Sequence, residues 1–130
     1  MGRLKEFSSI QLLVEDINNL FPQLKSMDLK VGAHVSVAGG AQKAFERQEE
    51  VGGNCGQIFA GSPRTWSVKE YSEEEASKFR ESKEEYDQRP YVIHSTYLVN
   101  LATPKDDLLE KSKDCIQKEL YAAEQLEIEF

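Results

Sequence analysis

A histidine follows the most strand-like segment of the sequence. Tyr91, Val92 and Ile93 are aromatic or β-branched, which is typical of a strand buried on both faces, and His94 comes directly after them. In proteins built on parallel strands, binding and catalytic groups collect at the carboxyl ends of the strands. Two interpretations of His94 are therefore open, a ligand in a functional site or a hydrogen-bonded histidine that completes the strand end.

Two earlier loops also carry polar groups after a predicted strand. The residues of the first loop are His34, Ser36, Gly39 and Gly40. The backbone N–H groups of its glycines could approach a phosphate at a helix start, or the glycines could form a tight turn. The second loop contains Arg64 and Trp66, a cation and a large π face that could stack on a nucleic acid or clamp the loop.

The third loop, which begins with His94, adds Tyr97, Leu98 and Asn100. We expect Tyr97 and Leu98 to be exposed at a rim, where apolar bulk is unusual unless it packs against a partner or wedges into one. If the three loops share one face, their combined content predicts a site for a sugar-phosphate or polynucleotide backbone.

The elements that position these loops alternate between strand and helix. Strands are predicted at residues 29–35, 56–60 and 91–93, and Ile128, Glu129 and Phe130 resemble the start of a fourth. One helix opens at Gly39 and Gly40, a second at a capping box from Ser72 to Glu75, and a third of about twenty residues at Thr103 and Pro104. This order is typical of βαβ units with a parallel sheet and right-handed crossovers. A doubly wound sheet and an arc of a βα barrel both remain open, although no GxGxxG pattern supports a dinucleotide fold.

The N-terminal residues look separate from this pattern. Apolar residues at helical spacing predict one amphipathic helix in an extension over residues 1–26, and they are Ile10, Leu13, Ile17 and Leu20. We expect residues 27–130 to form the α/β part. The extension is interpreted as a packing or dispensable segment, with a targeting or partner helix as the alternative.

Composition sets broad limits on function. At 130 residues the chain is at most one domain, and its formal net charge of −7 argues against a general nucleic-acid coat without excluding a nuclease. Cys55 and Cys115 form no CxxC pair, and no segment has the apolar length of a membrane span. We therefore expect a cytoplasmic, intracellular protein without membrane contact.

Three segments in correct order and spacing resemble the endonuclease IV family. They are KVGAHVSVAGG at residues 30–40, SPRTW at 62–66 and VIHSTYLVNL at 92–101. The resemblance implies a (β/α)8 TIM barrel with three zinc ions that cleaves double-stranded DNA on the 5′ side of an abasic site, in base-excision repair. The chemistry it implies is attack of a metal-generated hydroxide on phosphorus.

The resemblance also assigns roles to individual residues. By position His94 is similar to a zinc ligand, with His34 and Asn100 as its neighbours. Arg64, Tyr97 and Leu98 are similar to side chains that enter the duplex at the lesion. The remaining expected DNA contacts are Ser36, Gly39, Gly40 and Trp66.

The sequence contains only the first three to four of the eight βα units, so the barrel is expected to be incomplete. We therefore expect an N-terminal fragment that binds zinc weakly by itself, does not nick abasic DNA, and needs a C-terminal half as partner. A sugar isomerase or epimerase of the same barrel superfamily is a second hypothesis. A third is a non-catalytic interaction module in which residues 1–24 cover the open sheet edge.

Overall fold

The computed structural model describes residues 29–129, and Leu12 alone before them. Its elements in chain order are β1 (Gly32–His34), α1 (Lys43–Glu50), β2 (Cys55–Ile58), α2 (Glu73–Tyr86), β3 (Tyr91–Ile93) and α3 (Asp106–Leu126). The predicted alternation of strand and helix is confirmed. The predicted helix within residues 1–26 lies outside the described residues, apart from Leu12, which is helical.

The strands form one parallel sheet in the order β1-β2-β3. Gln57 fixes the register, because it is opposite His34 in β1 and opposite Val92 in β3. All three strands therefore end at the same edge of the sheet. Within the described residues, the chain after α3 adds no further strand. Instead, the Glu129 carboxylate accepts the Tyr91 N–H at 3.1 Å on the outer edge of β3.

Two strands differ from their predicted bounds. β1 begins three residues later than the predicted residue 29 and ends one residue before residue 35, and the Asn54 side chain accepts the Val31 N–H at 2.9 Å just before the strand. β2 ends at Ile58 rather than at residue 60. The expectation that β3 is buried on both faces is wrong, since Tyr91 is buried but Val92 and Ile93 are only half-buried.

The hydrophobic core lies between one face of the sheet and the helices. Phe45 of α1, Phe79 of α2 and Tyr91 of β3 are fully buried, with the Phe45 ring centroid 4.8 Å from Phe79 and 4.6 Å from Tyr91. The Tyr91 hydroxyl donates to Gln88 at 2.9 Å, and Gln88 in turn donates to the Phe45 carbonyl at 3.1 Å. These bonds satisfy the polar atoms that the packing removes from water.

The three helix starts differ in how well the sequence predicts them. The capping box of α2 is confirmed, because the Ser72 hydroxyl accepts the Glu75 N–H and the Glu75 carboxylate accepts the Ser72 N–H. The start of α1 at the glycine pair is wrong. Gly39 and Gly40 have φ angles of 86° and 125°, which a right-handed helix does not admit, so α1 begins three residues later.

The start of α3 at Thr103 and Pro104 is also wrong. The Thr103 hydroxyl accepts the Lys105 N–H at 3.3 Å, which closes a turn before the helix. The first helical bond runs from Leu109 N–H to the Lys105 carbonyl, so Lys105 is the N-cap. Within the described part of the chain, no helix combines the length and the apolar character that crossing a membrane requires.

Candidate functional site

The face of the sheet opposite the core carries the candidate site. Side chains alternate between the two faces of a strand, so Ile58 and Tyr91 point to the helices while Gln57 and Val92 point away from them. The same alternation places His34 and His94 on this open face. Both histidines are exposed, and both stand where their strands end.

The two histidine rings approach each other around Phe59. The Phe59 ring centroid is 4.4 Å from that of His34 and 5.0 Å from that of His94, and the two imidazole centroids are 6.0 Å apart. Tyr97 closes the group from the third loop, 5.6 Å from Phe59 and 5.8 Å from His94. We call these four residues the strand-end cluster.

Hydrogen bonds fix the same tautomer in both histidines. His34 Nδ1 lies 3.0 Å from Gln57 Oε1, and His94 Nδ1 lies 2.7 Å from the Ser95 carbonyl oxygen. Both partner atoms are acceptors, so in the neutral imidazole each Nδ1 carries the hydrogen and each Nε2 has the lone pair. A metal-binding histidine is usually oriented in this way, with the nitrogen that is not the ligand donating to a carbonyl or carboxylate.

The described residues do not form a complete metal site. A catalytic zinc normally takes three protein ligands, and no group of three His, Cys, Asp or Glu suitable for a metal ion exists among residues 29–129. Cys55 lines a groove with His34 on the open face. Burial raises the pKa of the Cys55 thiol by more than the nearby Lys30 lowers it, so the thiol is favoured over the thiolate that a metal would need. The cluster therefore supplies two imidazole nitrogens, which do not suffice by themselves for the expected zinc cluster.

The second and third loops are joined through Thr96. Its hydroxyl lies 2.8 Å from the Pro63 carbonyl and 3.2 Å from the Thr65 carbonyl, and the Tyr97 N–H donates to Pro63 at 3.0 Å. Arg64, between the two bonded residues, is exposed and forms no ion pair with any described residue. The structure thus brings the Arg64 loop beside the strand-end cluster.

The other predicted residues of these loops are placed less favourably. Tyr97 is 65% exposed, as expected, but Leu98 is only half-buried rather than fully exposed at a rim. Trp66 borders a cleft of about 390 Å³ that is also lined by Tyr121 of α3, away from the histidines. The Asn100 amide oxygen accepts the Ala102 N–H at 3.0 Å, so this side chain closes a local turn and bonds to neither histidine.

The first loop forms a tight turn held by α1. The Gly40 N–H donates to the Val37 carbonyl at 3.0 Å, and the Ser36 hydroxyl accepts the Ala38 N–H at 3.1 Å. Arg47 of α1 donates to the carbonyls of Ser36 and Ala38 at 2.6 and 2.7 Å. The Gly40 N–H is therefore engaged within the turn, which favours the turn interpretation over a phosphate cradle at a helix start.

Sequence reasoning missed Phe59 and Arg47. Phe59 lies two residues after Gln57 and thus on the same face, so strand alternation combined with the observed register finds it. Arg47 carries no recognisable motif, and only the fold places its guanidinium against the loop carbonyls.

Comparison with known proteins agrees with this geometry. A family model described as xylose isomerase-like TIM barrel matches residues 45–130. The chain is 53% identical over 102 residues to the probable endonuclease 4 of Haloarcula marismortui, covering 78% of the chain and 37% of that protein. It is equally similar, over 100 residues, to the probable endonuclease 4 of Haloquadratum walsbyi, covering 77% and 36%.

A solved structure gives the same picture. The crystal structure of endonuclease IV from Thermus thermophilus superposes with a TM-score of 0.73 and 38% identity, covering 78% of this chain and 38% of that one. The predicted resemblance and the barrel-type α/β fold are confirmed, and the doubly wound alternative is not. The chain spans little more than a third of the length of the curated relatives it matches.

Proposed function

Because the chain belongs to the xylose isomerase-like TIM barrel family, we propose that it forms the first part of a zinc-dependent repair endonuclease that hydrolyses DNA 5′ to an abasic site. The relatives named endonuclease 4 support a nuclease acting on a phosphodiester. The zinc dependence and the abasic-site preference are proposed here in addition to that nuclease activity. The remaining zinc ligands would come from the part of a whole family member that this chain does not cover.

The observation that carries the proposal is the position of His94. Its Nδ1 is bonded to the Ser95 carbonyl at the end of β3, with the exposed Tyr97 ring 5.8 Å away and the Arg64 loop bonded to the same segment. A metal ligand, an aromatic wedge and a cation on one rim suit an enzyme that grips a backbone while it opens a duplex. A sugar isomerase would have no need of an exposed wedge beside its small pocket.

In this proposal the chain's own residues bind and orient. His94 would hold one metal ion, and the His34 ring lies 6.0 Å from the His94 ring, with the Phe59 ring near both. Arg64 and Tyr97, with Leu98, enter the DNA at the lesion. Ser36, Gly39 and Gly40 would contact the DNA backbone around the lesion through groups other than the Gly40 N–H, which is engaged within the turn, and Trp66 would contact it away from the histidines.

A chimaera tests the proposal. The 102 aligned residues of the Haloarcula protein are replaced by those of this chain, and incision of a duplex with one abasic analogue is measured with zinc present. We expect a nick on the 5′ side of the lesion, no nick in the intact duplex, and loss of most of the incision rate in H94A and Y97A. Tyr121→Ala is the matched control, because Tyr121 is another exposed tyrosine, on α3, at 55% exposure against 65% for Tyr97.

Two outcomes of this experiment would contradict the proposal. The first is a folded chimaera that does not incise abasic DNA while the Haloarcula protein does, and the second is H94A with unchanged activity. A separate binding measurement on the chimaera adds a third outcome, tighter binding of free sugar phosphates than of abasic duplex, which would favour the isomerase hypothesis. The 130-residue chain alone is expected to bind zinc weakly and to leave abasic DNA intact, since the described residues lack three metal ligands.

A further inference from the structure

A buried carboxylate on α3 faces the end of β3. Glu119 is 8% exposed, and its two oxygens accept different groups of the third loop: Oε2 takes the Ser95 hydroxyl at 2.5 Å and Oε1 takes the Thr96 N–H at 3.0 Å. It forms no ion pair with a described residue. A buried carboxylate is costly unless strong hydrogen bonds compensate it, so these two bonds hold the loop and the helix together.

The residue that Glu119 holds is the one that orients His94. The Ser95 carbonyl accepts the His94 Nδ1–H at 2.7 Å, while the Ser95 hydroxyl donates to Glu119. The Ser95 carbonyl and the Thr96 N–H belong to one planar peptide unit, so the Glu119 bonds to the Ser95 hydroxyl and to the Thr96 N–H together fix the direction of this carbonyl. The carbonyl then determines which imidazole nitrogen of His94 carries the hydrogen.

The second hydrogen bond of Glu119 is made to Thr96, which is itself bonded to the loop that contains Arg64. The Thr96 backbone donates to Glu119, and the Thr96 hydroxyl donates toward Pro63, which precedes Arg64. The Tyr97 N–H binds the same Pro63 carbonyl at 3.0 Å. The Glu119 carboxylate, which lies outside the strand-end cluster, is therefore connected by hydrogen bonds both to the residue that orients His94 and to the residue that joins the Arg64 and Tyr97 loops.

We propose that Glu119 is a positioning residue, which holds His94 in the tautomer with a free Nε2 and sets the distance between the Arg64 and Tyr97 loops. The functional meaning of this arrangement rests on the proposed endonuclease function. The hydrogen bonds of Glu119 do not depend on that function, because they are formed between residues of this chain alone. A carboxylate that only joined α3 to β3 would affect stability and leave the tautomer unchanged.

The test is nuclear magnetic resonance of the histidine rings in the full 130-residue chain. The sequence contains only two histidines, so H34Q assigns both ring spectra. In ring-¹⁵N-labelled protein at alkaline pH, we expect the wild-type His94 to be mainly Nδ1–H. In E119Q the amide NH₂ replaces one acceptor oxygen, and we expect the ratio of Nδ1–H to Nε2–H to fall about fivefold, the factor that one ordinary hydrogen bond gives.

Two further variants keep the result interpretable. Glu110→Gln is the matched control, because Glu110 is an exposed glutamate of the same helix that pairs with Lys113 at 2.9 Å, and its His94 spectrum should equal that of the wild type. Ser95→Ala removes the hydroxyl bond while keeping the carbonyl. It should shift the His94 ratio in the same direction, and it serves as the test if E119Q does not fold.

An unchanged His94 ratio in folded E119Q, or in S95A if E119Q does not fold, would overturn the inference. An equal shift in E110Q would overturn it as well. The chimaera separates this failure from failure of the proposed function. If the wild-type chimaera does not incise abasic DNA, the function fails while the tautomer result stands. If it incises DNA and E119Q alters neither the His94 ratio nor the incision rate, only the role of Glu119 fails.

Discussion

The Thr96 hydroxyl is the single atom whose removal best tests how the two rim loops are joined. Thr96 is 7% exposed, and its hydroxyl lies within hydrogen-bonding distance of the Pro63 and Thr65 carbonyls. Thr96→Val keeps the shape of the side chain and removes this donor. The Pro63 carbonyl retains the Tyr97 N–H, whereas the Thr65 carbonyl loses its hydrogen-bonding neighbour.

The expected cost follows from the part-buried bonds. Losing one ordinary hydrogen bond beside the exposed Thr65 costs about 1 kcal/mol. A urea dependence of about 1–2 kcal/mol per molar is typical of a domain of this size, so the unfolding midpoint should fall by about 0.5–1 M. Unfolding is followed by the fluorescence of Trp66, the only tryptophan, which lies in the affected loop.

Hydrogen exchange locates the same effect. The Tyr97 amide, bonded to Pro63, should exchange faster in Thr96→Val. Thr96→Ser retains the hydroxyl and should keep most of the protection. Thr103→Val is the matched control, since that hydroxyl accepts only the Lys105 N–H before α3. A Thr96→Val protein with the wild-type midpoint and unchanged Tyr97 exchange would refute the proposed coupling of the loops.

Two further predictions concern stability. Phe79→Ala empties the fully buried position between Phe45 and Tyr91 and should cost about 3–5 kcal/mol, seen as a lower melting temperature by circular dichroism, while Phe79→Leu should retain much of the stability. The side-chain hydrogen bond from Lys69 and the helix cap lower the pKa of Glu75 from 4.5 to about 2. A lowered folded-state pKa stabilises the protein above about pH 4.5, and this contribution disappears as the pH falls toward 2. The melting temperature of Glu75→Gln should therefore decline less over this interval, and equal slopes for both proteins would contradict the assignment.

Local features were predictable from the sequence because neighbouring residues determine them. The capping box from Ser72 to Glu75 needs only a hydroxyl, a carboxylate and a spacing of three, and the structure contains both of its bonds. The strand Tyr91–Ile93 and the position of His94 at its end follow from β-branched and aromatic residues in the same way. By contrast, Thr103 failed as a cap because its hydroxyl bonds to a turn that competes with the helix.

Distant contacts were not predictable, because they depend on register and on side chains far apart in sequence. Gln57 orients His34 across 23 residues, and Glu119 reaches Ser95 across 24. Neither residue belongs to a motif, and a glutamate in a mostly polar helix predicts a solvent-exposed position. Only the packing of α3 against the end of β3 buries Glu119 and gives it loop donors.

The two faces of the sheet separate stability from chemistry. Tyr91 of β3 is buried against Phe45 of α1 on the helix face, whereas His34 and His94 are exposed on the other face, and strand alternation separates Tyr91 from the two histidines. The hydrophobic core therefore does not depend on the two imidazoles, whose hydrogen bonds to Gln57 and Ser95 use the Nδ1 atoms. The contact between the two faces runs through the loop after His94, where Glu119 reaches from the helix layer to the strand ends. The packing of α3 against the end of β3 thus orients an exposed histidine at the strand end through a residue of the helix layer.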